Sequence, residues 1–194
     1  MLIKDQELYI PSLMGQNVRY GAIKGVAVGQ CFKDRLELRL KNVHNIKVAG
    51  VAGNVKEGAA SVVVSGGYED DIDMGDIIEY TGAGGQDDSD WGPQPRNQTK
   101  NQQWGNSQKM LQRSYEAHRP VRVIRGFSLK SKYAPAKGYR YDGLYHVTKV
   151  YETTGKSGYT VWKFQLQRLE DINQPPIPVR SFIQSYKRGS KIRA

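Results

Sequence analysis

Two apolar runs near the C-terminal end set the strongest constraint on the fold. Residues 144–151 and 159–166 are rich in β-branched and aromatic side chains, and Gly155-Lys156-Ser157-Gly158 lies between them. Such side chains suit a pleated, half-buried surface, and two such runs joined by a glycine-containing turn predict a β-hairpin. An isolated hairpin is marginal in water, so further strands must pair with it. The sequence offers them at 61–64, 77–80 and 121–125. Beyond Gly21, Gly25 and Gly29, the alternation of Arg35-Leu36-Glu37-Leu38-Arg39-Leu40 predicts another half-buried strand. Asn106-Ser107 predicts the cap of a helix reaching about Ala117, with Leu111, Tyr115 and His118 on one side. No internal repeat is visible. The expected class is α+β, dominated by short strands with few helices.

At 194 residues the chain is long enough for one domain and a tail. Residues 1–18 read as a polar lead-in, 19–171 as the domain, and 172–194 as a Pro-containing, then basic, tail that begins around Gln174-Pro175-Pro176-Ile177-Pro178. Residues 83–106 form a long irregular insertion of Gly, Asp, Gln, Asn and Pro with two Trp, and such loops in compact domains are usually functional or disordered. The one cysteine, Cys31, cannot form an internal bridge. That excludes the disulfide-rich secreted class and favours a reducing compartment; next to Phe32, Cys31 reads as a small core residue. The apolar runs are far short of the ~20 residues that span a bilayer, so a soluble intracellular domain is expected, with no membrane partner.

The net charge of +10 points to a polyanion. It is unevenly placed. Nine acids lie between Glu69 and Asp90 with no Lys or Arg among them, so this stretch carries −9 and the remainder +19. Most of these acids read as a solvated loop. Arg180, Lys187, Arg188, Lys191 and Arg193 make the tail basic. It reads as a solvated terminus, or as an arm on phosphates or a nuclear-import address.

Enzyme chemistry finds little support. His44, His118 and His146 are scattered without metal-ligand spacing, and no nucleophile elbow is present. Glu69-Asp70-Asp71 lacks the acid–x–Lys strand of metal-dependent nucleases, and Gly82-Ala83-Gly84-Gly85 lacks the Lys and helix of a phosphate loop. No metal, cofactor or catalytic residue is expected.

The informative segment is 65–85, where two glycine clusters flank Tyr68, Tyr80 and several carboxylates. Glycines let backbone approach a planar ligand, tyrosines can stack on it, and a carboxylate can accept from an amino group such as cytosine N4. The alternative is that the tyrosines are core residues and the glycines turns.

Five stretches carry a resemblance: residues 65–85; Arg19-Tyr20-Gly21 to Val28-Gly29; Pro120-Val121-Arg122-Val123-Ile124-Arg125-Gly126; Ser131-Lys132-Tyr133-Ala134-Pro135; and Tyr141-Asp142-Gly143-Leu144-Tyr145. Taken colinearly along the chain they strongly resemble the SRA (SET- and RING-associated, or YDG) domain, over about Arg19 to Arg168. The resemblance implies a PUA-like twisted β-barrel flanked by a few helices. It also implies binding to double-stranded DNA containing 5-methylcytosine, with the modified base flipped into a pocket. Tyr68 and Tyr80 would face the two sides of the base, and Asp71 would accept from its N4 amino group. Gly66, Gly67 and Thr81 would line the other edge and the methyl group, and Ser65 stands where family members carry Ala or Ser. A thumb loop would comprise Lys47, Val48 and Gly50, with Val48 as the apolar wedge. A finger loop would span about 86–100; vertebrate members carry an Asn-Lys-Arg triplet there that is absent here, where Trp91, Gln94 or Arg96 could take its place. Hemimethylated, fully methylated, non-CpG and 5-hydroxymethylcytosine sites are therefore equally allowed. Lys24, Lys47, Arg122, Arg125, Lys130, Lys132 and Arg140 are the candidates for phosphate contacts.

The leading expectation is a non-catalytic, nuclear reader of modified cytosine. The alternatives are the recognition module of a modification-dependent endonuclease, and a module that binds histones or other chromatin proteins through the acidic stretch.

Overall fold

The computed structural model describes residues 18–86, 97–170 and 172–180. The expectations for the lead-in up to residue 17, for Trp91, Gln94 and Arg96, and for the tail beyond residue 180 lie outside the described residues. The elements run β1 (Cys31–Phe32), α1 (Arg35–Leu40), β2 (Val51–Asn54), β3 (Gly58–Val64), β4 (Ile72–Asp73), β5 (Ile77–Thr81), α2 (Asn106–Glu116), β6 (Val121–Gly126), β7 (Tyr139–Thr154) and β8 (Thr160–Arg168).

The expected hairpin is present. β7 and β8 pair antiparallel from Tyr145↔Arg168 to Thr154↔Thr160, and Asp70 Oδ1 accepts the Lys156 N–H in their turn at 2.9 Å. The whole forms an 8-stranded sheet in the order β2-β3-β6-β7-β8-β5-β4, with β1 on β7. Only β3 and β6 pair in parallel among these strands. That pair is buried on both faces: Val62 and Val64 belong to one apolar cluster, Val63 to the other. Continuous rather than alternating burial along β3 follows from this placement. The fold is strand-dominated, as expected. The pairings trace one open path, and among the described residues no pairing joins its ends into a closed barrel. No helix among them is long and apolar enough to cross a membrane.

Three local expectations are corrected. Residues 35–40 are the helix α1, not a strand. Asp34 caps it by accepting the Glu37 N–H at 2.9 Å, and Glu37 Oε2 accepts the Lys33 N–H at 2.6 Å. Leu38 alone of the three leucines is buried, while Leu36 and Leu40 are 57% and 59% exposed, so the alternation was not that of a strand face. The residues themselves are good helix formers. Helix α2 lies close to where it was expected, but Gly105 precedes it with no side-chain cap. Its buried face is Gln108, Met110, Leu111 and Ser114 rather than Leu111, Tyr115 and His118. Ser114 explains the rotation: its Oγ accepts the Ala59 N–H at 2.8 Å and donates to the Ala59 carbonyl at 3.2 Å, pinning α2 to β3. Cys31 is exposed at the edge strand β1, with Phe32 taking the inward position.

After β8 the chain returns to the sheet. Gln174 Oε1 accepts the Leu144 N–H at 2.7 Å and its Nε2 donates to the Leu144 and Leu169 carbonyls.

Candidate nucleic-acid interface

A cavity of about 460 Å³ opens where the end of β3, the 65–71 loop, β5 and the 47–50 loop meet. It is lined by Ser65, Gly67, Tyr68, Asp71 and Tyr80, together with Lys47, Val48 and Gly50. Residues expected in two separate devices, base pocket and thumb, thus share one cavity. Thr81 and Gly66 do not line it. Thr81 is fully buried behind Asp71, and its N–H donates to Asp71 Oδ1 at 2.8 Å. Gly66 has φ +73°, and a Cβ there would lie 3.0 Å from the Ser128 carbonyl, so it shapes the loop rather than the lining. A Cβ on Gly67 would meet nothing within 4 Å, because that position faces open space.

Asp71 is half-buried, with the outer part of its surface on the cavity. Burial pushes its carboxyl up to about 6, against the opposing pull of the Thr81 groups and of Lys163. It is therefore mostly ionised at neutral pH and close to titrating. Tyr80 is buried, and burial followed by the Asp71 charge pushes its phenol well above the ordinary value. Tyr68 is half-buried on the loop, where its Oη accepts the Gly84 N–H at 2.9 Å.

The thumb loop is held by two side chains that the sequence reading did not assign to it. Arg35 at the start of α1 donates to the Lys47, Val48 and Ala49 carbonyls at 3.3, 2.6 and 2.5 Å. Its NH1 is buried without a hydrogen-bond partner, and its guanidinium carbon lies 5.8 Å from the centre of the Tyr139 ring, which also lines the cavity. His44 is fully buried, with Nε2 3.0 Å from the Ala49 carbonyl and Nδ1 2.9 Å from Ser61 Oγ. A carbonyl only accepts, so Nε2 carries the proton. Burial, then the Arg35 charge, push this imidazole down to about 3, and it stays neutral. Within the loop, Val48 is exposed, whereas Gly50 lies against the platform: a Cβ there would sit 2.6 Å from Tyr80 Oη. The Asp34-x-x-Glu37 capping pattern was the one signal that could have placed Arg35 on a helix.

Three of the expected phosphate ligands are corrected. Arg122, Arg125 and Arg140 are buried and engaged within the domain, whereas Lys24, Lys47, Lys130 and Lys132 are exposed. Arg125 uses all of its donors: Nε and NH2 grip Asp73 at 2.9 and 2.7 Å, NH1 reaches Asp142 and Tyr145 Oη, and NH2 also donates to the Gly75 carbonyl. Arg140 completes the group on Asp142. Burial alone would raise the Asp73 carboxyl, but the Arg125 hydrogen bonds and charge, with Ser131 and the Gly75 N–H, hold it below its ordinary value. Arg122 donates to the Val43 and Gly21 carbonyls. The acidic run is likewise not a solvated loop over its described part. Glu69, Asp70, Asp71, Asp73 and Glu79 all hold internal hydrogen bonds, and Asp76 is the most loosely held, 3.8 Å from Arg168.

In this strand-rich domain one cavity brings together a carboxylate, which can accept a hydrogen bond, and two tyrosine rings, on which a planar group can stack. The chain belongs to the SAD/SRA domain family, whose model matches residues 19–172. It is 46% identical over 166 residues to a UHRF1-like protein of Cryptococcus neoformans var. grubii, covering 82% of this chain and 48% of that protein. It therefore spans about half the length of that relative. Among solved structures, it is similar to the modification-dependent TagI restriction endonuclease (TM-score 0.73, 34% identity, covering 81% of this chain and 54% of that one). It is also similar to the SUVH5 SRA domain solved with methylated CHH DNA and with fully hydroxymethylated CG DNA (TM-scores 0.66 and 0.67, 37% identity in both, covering 82% of this chain and 99% of that one).

Proposed function

We propose that this domain reads modified cytosine in double-stranded DNA by taking the base out of the stack into the cavity, and that its own part is binding without cleavage. The observation that carries this reading is Asp71: a carboxylate whose inner oxygen is held by Thr81 and whose outer surface faces a cavity walled by Tyr68 and Tyr80. Flipping costs a few kcal/mol, and stacking on an aromatic ring returns about 1–3 kcal/mol per base. An ionised acceptor favours the cytosine N4 amino group. Thymine presents O4 at that position and would set two acceptors face to face, so the pocket admits methylcytosine and rejects thymine although both carry the methyl group. The SUVH5 complexes support methylcytosine and hydroxymethylcytosine as the ligand classes.

Val48, exposed at the tip of an anchored loop, is the group to enter the vacated space, and the exposed Lys24, Lys47, Lys130 and Lys132 are the candidates for phosphates. With double-stranded DNA as the ligand, a nuclear location and chromatin proteins as further partners go with this reading. Titration of one duplex carrying cytosine, 5-methylcytosine or 5-hydroxymethylcytosine at a single site tests it. Tighter binding to a modified duplex is expected, with that preference lost in Tyr68→Ala. Equal affinity for all three duplexes overturns the assignment.

The TagI similarity favours a second reading, the recognition module of a modification-dependent nuclease. Incubation of the chain with methylated plasmid and Mg²⁺ bears on it: EDTA-sensitive cleavage selects the nuclease reading, whereas intact plasmid excludes cleavage by these 194 residues alone.

A further inference from the structure

Lys163 is an unusual residue for its position. It lies on β8 opposite Thr81, in a stretch where Val161, Phe164 and Leu166 are also buried, and only 5% of its surface is exposed. A buried ammonium is costly unless it is paired, yet no ion pair within 4.0 Å involves it among the described residues. Its Nζ donates to the Asp70 carbonyl, to Thr81 Oγ1 at 3.1 Å and to the Glu79 carbonyl at 3.5 Å. Two of these three contacts lead to Asp71. The Asp70 carbonyl belongs to the peptide that joins Asp70 to Asp71, and the N–H of that peptide donates to the Tyr68 carbonyl at 3.3 Å. Thr81 is the residue whose N–H donates to Asp71 Oδ1.

We propose that Lys163 is a positioning residue of the base pocket: it fixes the Asp70–Asp71 peptide and Thr81, and supplies from behind the positive charge that keeps Asp71 an ionised acceptor. This rests on the reading of the pocket given above. A direct ion pair would occupy the carboxylate oxygens, as Arg125 occupies those of Asp73. With one residue interposed, the field reaches Asp71 and its outer oxygen stays open to a ligand.

The other titratable groups around the pair are Asp70 on the same loop, Tyr68 and Tyr80 on the cavity walls, Glu79 on β5 and Lys156 in the β7–β8 turn. Lys163 is the cation that acts on Asp71, lowering its carboxyl, while Asp70 raises it. Reciprocally, burial lowers the Lys163 ammonium, and Asp71 leads the charges that oppose this.

The test is the affinity of the whole chain for methylcytosine and unmodified duplexes from pH 5.5 to 9, for the wild type, Lys163→Met, Lys163→Arg, Thr81→Val and Asp71→Asn. Wild-type preference should fall away as the pH drops through about 6. Lys163→Met should move that midpoint up by about one pH unit, lowering the preference about threefold at pH 6.5 while sparing it at pH 9. Lys163→Arg should restore the wild-type midpoint, and Thr81→Val should shift it upward by less. A Lys163→Met profile reduced equally at every pH, or one with an unchanged midpoint, overturns the proposal. If Lys163→Met fails to fold, an unchanged midpoint in Thr81→Val does so. A wild type without methyl preference, or Asp71→Asn that keeps both preference and pH dependence, sinks the pocket reading itself.

Discussion

Asp71 and Asp73 stand two residues apart in one acidic run, and both are withdrawn from water, yet the fold treats them in opposite ways. Asp73 meets Arg125 through two parallel hydrogen bonds, takes a third from Ser131 Oγ at 2.6 Å, and has a side chain 1% exposed. Asp71 is held by the backbone N–H and the side chain of Thr81, with no ion pair of its own among the described residues, and has its nearest cation a residue away. One carboxyl is held below its ordinary value and the other is pushed up to about 6. A buried carboxylate whose valences are all filled serves architecture. One left short of partners beside a cavity is available to a ligand, and its strained ionisation marks it.

Substitutions that separate stability from recognition would break or sharpen this contrast. The largest effect is expected from Arg125→Met, which leaves Asp73 buried without its cation and Asp142 with Arg140 alone. Breaking a buried pair costs about 3–5 kcal/mol, so denaturant unfolding should show a loss of that order, with binding to all duplexes impaired together. A loss under 1 kcal/mol would remove the architectural half of the contrast.

Asp71→Asn should do the reverse. Its amide oxygen still accepts from Thr81, so its NH₂ turns to the cavity and opposes the cytosine amino group, at a cost of about 1–3 kcal/mol in methylcytosine preference. Stability should not suffer. A carboxyl whose folded value lies above its ordinary 3.8 binds more protons when folded, so its stabilising contribution is present at low pH and lost as pH rises through about 6. The stability difference between wild type and Asp71→Asn should therefore shift by about 1 kcal/mol in favour of the wild type between pH 7.5 and pH 5. Urea unfolding at the two pH values checks the sign.

Gly67→Ala puts a methyl group into open cavity space with no clash in the fold. One extra methyl in a pocket is worth about 1 kcal/mol of ligand affinity, so the modified duplex should bind several-fold less tightly with unfolding unchanged. The smallest effect is expected from Lys47→Ala. It should weaken modified and unmodified duplexes alike and lower the salt slope of binding by about 1, measured by titration at several ionic strengths.

Much of this design can be read from the chain, but unevenly. The β7–β8 hairpin is legible because turn chemistry and side-chain pattern agree. Ser65, Gly67, Tyr68, Asp71 and Tyr80, which line the cavity, are picked out through the family resemblance because they fall in one short segment. Gly66 and Thr81, named with them, do not line it. What stays hidden depends on contacts between distant parts of the chain. Alternation at Arg35–Leu40 imitates a strand because two leucines of a six-residue helix face outward. Positive charge alone does not tell an arginine that meets phosphate from Arg125, which meets Asp73 from 52 residues away. Lys163 reads as one polar position on a strand, and its connection to Asp71 exists only once β5 and β8 pair.

The contact between Gly50 and Tyr80 Oη has a consequence for how such a module can diversify. The loop has a root pressed on the base platform and a tip hanging outward. Any side chain at position 50 would be felt at once by Tyr80, whereas residues 47–49 meet Arg35 through their backbone carbonyls. Exchange of tip side chains therefore leaves the packing of the root on Tyr80 intact, whereas exchange at the root does not.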